Sequence, residues 1–253
     1  MDDVQGQRDD RKVSLKKVGI KDLKWPIKVM DKTQGTQNTV GTLELSVDLP
    51  SDIRGTHMSR FIEMANSMES LNPKNLEALL TQLKERLQAK VGHCKIEFDY
   101  FIKKPSPVTG ILSPFNVGCT FEAELSDEFN FLIKVNVPVS TLCPCSKEIS
   151  EFGAHNQRAT ISISLRMNKL IWIEDIVTIA EESASSPVYS LLKREDEKFV
   201  TETAYLNPRF VEDAVREVSL KLDELDEILW YSVHVESIES IHNHNAFAYT
   251  EKI

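Results

Sequence analysis

The chain of 253 residues is long enough for one large domain or two small ones, and its 41% hydrophobic content is ordinary for a globular protein. Its net charge of −9 argues against general nucleic-acid binding, which needs a broad basic surface. No apolar run reaches the roughly 18–20 residues that cross a bilayer, and the polar start lacks the apolar core of a signal peptide. We therefore expect a cytoplasmic protein with reduced thiols and no nucleic-acid or membrane partner.

The first half of the chain shows a polar, flexible tail, two strands, two helices and two further strands. In chain order these cover residues 1–20, 25–30, 42–49, 56–68, 72–87, 94–102 and 117–125. The strands alternate apolar and polar residues, and the helices carry apolar residues every three or four positions. Thr56 is the predicted cap of the first helix, and Asn72 followed by Pro73 begins the second.

The second half repeats this order, with strands and helices over residues 129–139, 158–167, 172–180, 207–222, 231–235 and 247–249. The repeat lies in the pattern of elements, and it divides the chain near Ser126–Asp127. We therefore predict two ββααββ modules, residues 21–126 and 127–253, in an α+β fold. One-sided alternation is typical of antiparallel sheets with helices on one face. The sheet face that carries no helices must also be covered, and association with the sheets of other subunits would cover it.

A cluster of reactive side chains follows the strand that ends near residue 139. Cys143 and Cys145 flank Pro144, and His155 lies ten residues further on. Taken singly, each is more often a small core cysteine or an ordinary loop histidine. Together they offer thiolate and imidazole ligands suited to zinc or a similar metal. No second Cys pair completes a zinc ribbon, and a Cys-x-Cys disulfide is strained, so an open catalytic metal site is the better interpretation.

Other polar residues have a functional and a plain interpretation. His242 and His244 would face one side of an extended chain, or they form a polar turn. Glu197, in the charged stretch 193–202, has the pattern of a solvated surface. Glu212 lies early in its helix, where an acid suits the helix dipole in any case.

Basic residues mark two candidate anion sites. Arg54, His57 and Arg60 lie at a helix start, where backbone N–H groups and the helix dipole favour anions. Lys147 and Arg158 lie within the cysteine–histidine cluster. A charged helix start without a ligand remains the alternative for the first group.

Six segments together resemble the GTP cyclohydrolase type IB family of the bacterial folate pathway. In family order they are Gly55–Phe61, Leu142–Ser150, Gly153–Arg158, Asp196–Lys198, Asn207–Asp213 and His242–His244. The pair Cys-Pro-Cys-Ser-Lys and Gly-Ala-His-Asn-Gln-Arg is the most specific part, and the segments span nearly the whole chain.

The resemblance implies a tunnelling fold (T-fold) and a homotetramer with sites at subunit interfaces. It also implies hydrolysis of GTP to 7,8-dihydroneopterin triphosphate and formate, the first step of tetrahydrofolate biosynthesis. One divalent metal (zinc, manganese or iron) is expected per active site, on Cys143, His155, Glu197 and His242. Glu212 corresponds to the carboxylate that anchors the purine. His244 is then a candidate proton shuttle, and candidates for the triphosphate are Arg54, His57, Arg60, Lys147 and Arg158.

Three alternatives remain open at this point. A T-fold deazaguanine nitrile reductase would use a cysteine nucleophile and NADPH without a metal, but three clustered histidines argue against it. A non-catalytic purine- or pterin-binding module with a structural metal is the second. A cyclic phosphate product, as in an archaeal relative of the family, is the third.

Overall fold

The computed structural model describes residues 4–252, which form nine strands and six helices. The strands are β1 Leu15–Asp31, β2 Gly35–Leu49, β3 Gly92–Pro105, β4 Leu112–Leu125, β5 Phe129–Leu142, β6 Asn156–Met167, β7 Ser186–Pro187, β8 Ile228–Ser237 and β9 Ala246–Glu251. The helices are α1 Met58–Asn66, α2 Pro73–Leu87, α3 Pro144–Ile149, α4 Ile173–Glu182, α5 Arg194–Leu206 and α6 Val211–Asp223.

The strands form an antiparallel sheet in the order β1-β2-β3-β4-β5-β6-β8-β9, with the short β7 paired to β5. The chain order reads β1, β2, α1, α2, β3, β4 and then β5, β6, α4, α6, β8, β9, with α3, β7 and α5 as additions to the second module. The predicted α+β tunnelling fold of two ββααββ modules is thereby confirmed. None of the helices in the described residues has the length and apolar content required to cross a bilayer.

The chain divides into two compact units. The first comprises Met1–Asp99 and Thr120–Leu132. In it, α1 and α2 pack on each other and on the β1–β2 ribbon. Alternate residues of β2 are buried from Gly41 onward, and Leu76, Leu79, Leu80 and Leu83 of α2 are buried as well. The Asn72 side chain accepts a hydrogen bond from the Asn75 N–H at 2.9 Å, so the predicted cap of α2 is present.

The second unit comprises Tyr100–Cys119 and Ile133–Ile253. Alternate residues of β5, β6 and β8 are buried, and the apolar stripes of α4 and α6 are buried as well. Ile161, Ile163, Val233 and Val235 are fully buried, as their period of two predicts. This unit holds the segments that carry most of the predicted site.

The structure differs from the predicted domain boundaries. β1 begins at Leu15, inside the predicted tail of residues 1–20, because the ladder with β2 extends to Leu49. Before it, the N–H of Asp9 donates to the carbonyl of Asp52 at 2.9 Å. Residues 1–3 of that tail lie outside the described part of the chain. The two compact units also depart from a division at 126/127, since β3, β4 and β5 each contribute residues to both.

Two predicted helix starts are shifted, and two helices were missed. His57, not Thr56, is the N-cap of α1. α6 starts at Val211 after Phe210, because Asn207 ends α5 and donates its side-chain N–H to the carbonyl of Ala184. α3 and α5 were not expected from the sequence, since neither carries an apolar stripe: α3 buries no residue, and α5 buries one alanine and one aspartate.

Candidate active site

Cys143 and His155 lie opposite each other where β5 ends and β6 begins. The Cys143 N–H donates to the His155 carbonyl at 3.1 Å, and Cys143 is the N-cap of α3. Its Sγ accepts from the Ser146 N–H at 3.5 Å, while the Ser146 hydroxyl accepts from the His155 N–H at 3.2 Å. We call this arrangement the Cys143–His155 corner. It holds a half-buried thiol and a half-buried imidazole in place by backbone hydrogen bonds.

The strand register explains why these two side chains share a face. Thr141 of β5 pairs with Gln157 of β6, so Cys143 and His155, two residues further on each strand, continue the same face. On that face the His155 Nδ1 lies 2.9 Å from the Gln157 Oε1. Cys145, inside α3, is exposed. The geometry therefore favours Cys143 over Cys145 as the partner of His155.

Glu197 lies in the first part of α5, next to a buried aspartate. Asp196 is fully buried and accepts from the N–H groups of Val108, Thr109 and Lys193 at 2.8–2.9 Å, and from the Thr109 hydroxyl at 2.7 Å. Burial by itself would raise the pKa of this carboxyl, but the hydrogen bonds outweigh it and hold the pKa below its ordinary value. Asp196 thus pins the start of α5 to the β3–β4 turn, and the exposed Glu197 lines an open groove of about 480 Å³.

Glu212 lies in the first turn of α6, on the rim of a second groove. This groove has a volume of about 520 Å³ and lies between α6 and the outermost strand, β9. The Arg209 N–H donates to the Leu142 carbonyl at 3.1 Å, so the segment that begins α6 is fixed to the end of β5 beside Cys143. The Arg209 Nη1 donates to Glu217 at 3.0 Å, and its buried Nε has no partner among the described residues.

His242 and His244 lie in the exposed connection between β8 and β9. Their rings are stacked, with centroids 5.1 Å apart and planes inclined by 17°. The sequence predicted that both would face one side, and the stacking agrees with that. The backbone there bends rather than forming the extended strand on which the expectation was based. We call residues 238–245 the histidine loop.

Two of the basic candidates lie near the corner. The Lys147 Nζ donates to the Tyr205 carbonyl at 2.6 Å and lies 4.4 Å from the centre of the Tyr205 ring, which ties α3 to the end of α5. Arg158 is exposed and, by strand alternation, extends from the face of β6 opposite to His155.

The other basic candidates lie in the first unit. The Arg54 Nη1 donates to the Gln7 side chain at 3.0 Å, and the Arg60 Nη1 donates to the Arg86 carbonyl at 2.7 Å, at the end of α2. His57 is the N-cap of α1 without a side-chain capping bond. These contacts give Arg54 and Arg60 structural partners within the chain.

The predicted metal ligands are of kinds that bind divalent metals, and two of them, Cys143 and His155, are neighbours at the corner. A thiol, two imidazoles and a carboxylate are the donors that zinc, manganese or iron accept in proteins. Cys143 and His155 are adjacent at the corner, but within residues 4–252 no three His, Cys, Asp or Glu side chains are grouped to hold a metal ion. The described residues thus bring two of the four predicted ligands together and group neither Glu197 nor His242 with them.

Three residues that shape the site had no role in the sequence interpretation. Gln157 contacts His155 and could have been found from its place two residues along the same strand. Asp196 could have been suspected from its position as the third residue of a helix. No local signal pointed to Arg209, because its role depends on the approach of α6 to the end of β5.

Known proteins resemble this chain over nearly its whole length. A family model described as type I GTP cyclohydrolase folE2 matches residues 1–248. The protein named GTP cyclohydrolase FolE2 from Caldicellulosiruptor bescii is 58% identical over 251 residues, which are 99% of this chain and 98% of its own length. Those of Dictyoglomus turgidum and Thermotoga maritima are 56% and 58% identical over 252 residues, covering 100% of this chain and 98% and 97% of theirs.

Solved structures that resemble the chain are far more distant in sequence. Uricase from Arthrobacter globiformis superimposes with a TM-score of 0.54 at 8% identity, over 93% of this chain and 92% of that one. A hyperthermostable mutant of Bacillus sp. TB-90 urate oxidase gives a TM-score of 0.54 at 9% identity, over 94% and 99%. At such identities the likeness concerns the fold alone.

Proposed function

We propose, because the chain belongs to the type I GTP cyclohydrolase folE2 family, that it hydrolyses GTP to 7,8-dihydroneopterin triphosphate and formate as the first step of folate biosynthesis. The observation that carries the proposal is the match of the family over almost the entire chain. Relatives named GTP cyclohydrolase favour this reaction over a nitrile reductase or a non-catalytic purine-binding module. The free thiols of all four cysteines accord with a reducing, cytoplasmic setting.

The corner supports a metal-dependent reaction of the type IB kind. Cys143 and His155 would hold one divalent metal, with Glu197 and His242 as further ligands. When bound, such a metal makes water acidic enough to attack at neutral pH, which is what opening the guanine ring at C8 requires. The corner keeps its two donors in place before a ligand arrives, through the Cys143–His155 backbone hydrogen bond and the Ser146 contacts.

Glu212 would recognise the base. A carboxylate can accept two hydrogen bonds from the N1–H and the exocyclic amine of guanine, and adenine offers no such pair. The groove beside Glu212, about 520 Å³ in volume, is within the usual range for a small-molecule site. A site built to pair with the guanine edge rejects purines that leave its carboxylate unmatched.

His244 would move protons during ring opening, and the basic residues would bind the triphosphate. His244 stacks on His242, so a proton carrier would lie directly beside a metal ligand. Arg158 is exposed, and Arg54, Arg60 and Lys147 each carry more N–H donors than the contacts described above employ. His57 would join them from the start of α1. These assignments remain predictions residue by residue.

A homotetramer with sites at subunit interfaces would complete both the sheet and the ligand set. β9 pairs only with β8 among the described strands, and its Phe247 and Tyr249 side chains are exposed. Pairing of such an edge with another subunit covers its backbone groups and its apolar side chains. Sedimentation should show an oligomer at low micromolar concentration, and a stable, active monomer would contradict it.

The direct test is incubation of metal-loaded protein with GTP. We expect pterin fluorescence and one formate per GTP consumed, with no turnover after treatment with a chelator. Mass spectrometry of the product separates the linear triphosphate from a cyclic phosphate. Absence of formate release by protein loaded with zinc, manganese or iron would refute the proposal.

A further inference from the structure

A line of side-chain hydrogen bonds leads from a surface carboxylate to His155. The Ser237 hydroxyl donates to the Glu239 Oε1 at 2.9 Å, and the Thr141 and Ser237 hydroxyl oxygens are 3.4 Å apart. The Gln157 Nε2 donates to the Thr141 Oγ1 at 3.2 Å, and the Gln157 Oε1 lies 2.9 Å from the His155 Nδ1. We call these four contacts the Glu239–His155 relay.

The carboxylate sets the direction of every hydrogen bond in the relay. An ionised carboxylate only accepts, so the single hydroxyl proton of Ser237 is directed to Glu239. Ser237 then has only lone pairs to offer, and Thr141 must donate to it. Thr141 in turn can only accept from Gln157, which directs the amide N–H₂ to Thr141 and leaves the amide oxygen facing the imidazole.

This direction decides which nitrogen of His155 carries the proton. The Gln157 oxygen is an acceptor, so the Nδ1 opposite it must be the N–H, and in the neutral ring the Nε2 is left with a free lone pair. We propose that Gln157, oriented by the relay from Glu239, is a positioning residue that presents the Nε2 of His155 to a divalent cation. The inference rests on the proposed function, in which His155 is a metal ligand.

The middle of the relay is protected from water, which is why it can hold one direction. Thr141 and Ser237 are each 1% exposed, so neither hydroxyl can exchange its partner for solvent. Their strands, β5 and β8, lie on either side of β6, where Thr141 pairs with Gln157 and Ser237 pairs with Ala159, so their side chains contact each other across β6. Reversing the relay would leave a buried hydroxyl proton facing another donor, which is costly. The 3.4 Å contact between the Thr141 and Ser237 hydroxyls is the longest of the four, so the Ser237 hydroxyl is the group to remove in a test.

The test uses the whole protein with ¹⁵N-labelled histidine, free of metal, at a pH where the imidazole is neutral. NMR then reports whether Nδ1 or Nε2 carries the proton, and a His155→Asn variant identifies the signal. In the wild type we expect the Nδ1–H form. Ser237→Ala removes the acceptor of Thr141, frees Thr141 and Gln157 to reverse, and should introduce the Nε2–H form.

Zinc affinity, measured by competition with a chromophoric chelator, is the second readout. Loss of a partner that orients a ligand histidine typically weakens metal binding by about 10–100-fold, and we expect this for Ser237→Ala. Ser162→Ala is the matched control, because it removes a hydroxyl that donates to Asn136 at 2.7 Å between β6 and β5, the strands of Gln157 and Thr141, but on the opposite face. The control should bind zinc as the wild type does.

A rescue variant distinguishes loss of the His155 imidazole orientation from general damage to the fold. Gln157→Glu places a carboxylate, which only accepts, opposite Nδ1, so it should restore the Nδ1–H form even when combined with Ser237→Ala. A wild-type His155 in the Nε2–H form, or the same tautomer in wild type and Ser237→Ala, would overturn the relay. If the tautomers change as expected but His155→Asn binds zinc as tightly as the wild type, the ligand role of His155 fails and the relay stands.

Discussion

The Cys143–His155 corner and the histidine loop are the two parts of the candidate site that differ most in burial and in the hydrogen bonds that hold them. The corner is half-buried and fixed by a backbone hydrogen bond, a capped helix and a side-chain relay. The histidine loop is exposed throughout His242–Asn245 and is held at its end by the Asn245–Glu236 hydrogen bond of 2.8 Å.

The difference shows which half of the site is organised within one chain. The ends of two paired strands place Cys143 and His155 before any ligand binds, because strand register leaves little freedom. His242 and His244 are arranged by stacking on each other, and the other predicted ligand, Glu197, faces open solvent.

Removing the thiol of the corner should have the largest effect. We expect Cys143→Ala to abolish turnover and to weaken zinc binding by more than the roughly 100-fold that loss of an outer partner costs. Cys145→Ala is the control, since Cys145 is exposed and lies outside the corner, and it should keep its metal. Equal metal content in wild type and Cys143→Ala, measured by elemental analysis, would contradict the assignment.

Substitutions in the histidine loop separate its two imidazoles. His244→Ala should lower kcat by about 10²–10⁴-fold, the usual contribution of a proton carrier, while metal content stays unchanged. His242→Ala should lower metal content as well as turnover. If both variants retain full metal, the loop supplies no ligand, and the corner must be completed from elsewhere.

Substitution of Glu212 tests whether recognition of the guanine base is independent of the corner and of the histidine loop. Glu212→Gln keeps the size of the side chain but replaces one acceptor with a donor opposed to the guanine edge. We expect a loss of roughly 2–4 kcal/mol in GTP binding, which is about 30- to 900-fold, with metal content as in the wild type. A variant that loses metal yet binds GTP normally would show that Glu212 is a ligand.

Substitution of Asp196 tests how strongly buried hydrogen bonds hold the start of α5, by comparison with the strand register that holds the corner. Asp196→Asn places N–H donors against the N–H groups of Thr109 and Lys193, so we expect a lower Tm and a smaller loss of activity than in the variants above. Asp213→Asn is a matched control at the same helical position of α6, where the partly exposed carboxylate accepts from the Phe210 N–H.

The effect of Asp196 should depend on pH in a defined direction. Its pKa is lowered in the folded state, so its contribution to stability is fully present above the unfolded value near 4 and is lost as the pH falls from there toward the folded pKa. The difference in Tm between wild type and Asp196→Asn should therefore be largest at neutral pH and narrow below about pH 4. A difference that is constant from pH 7 to pH 3 would show that the charge of Asp196 does not matter.

Residue patterns along the chain were enough to predict the repeated ββααββ order and the buried faces of the strands, and the family resemblance identified the candidate site residues. Strand alternation and helical stripes report burial directly, which is why Ile161, Ile163 and the stripe of α6 were predicted correctly. The Cys143–His155 pair was also visible, because its members are only twelve positions apart and flank the single connection, with α3, between the paired strands β5 and β6.

The contacts that hold these residues in place are seen only in the folded chain. α5 escaped detection because it is anchored by Asp196 to Thr109, 87 positions away, instead of by an apolar stripe. The relay likewise joins Thr141 to Ser237 across 96 positions, and its direction comes from Glu239. Local periodicity records which face of an element is buried, but it cannot record which distant polar groups meet there, since that depends on strand order, register and the approach of helices.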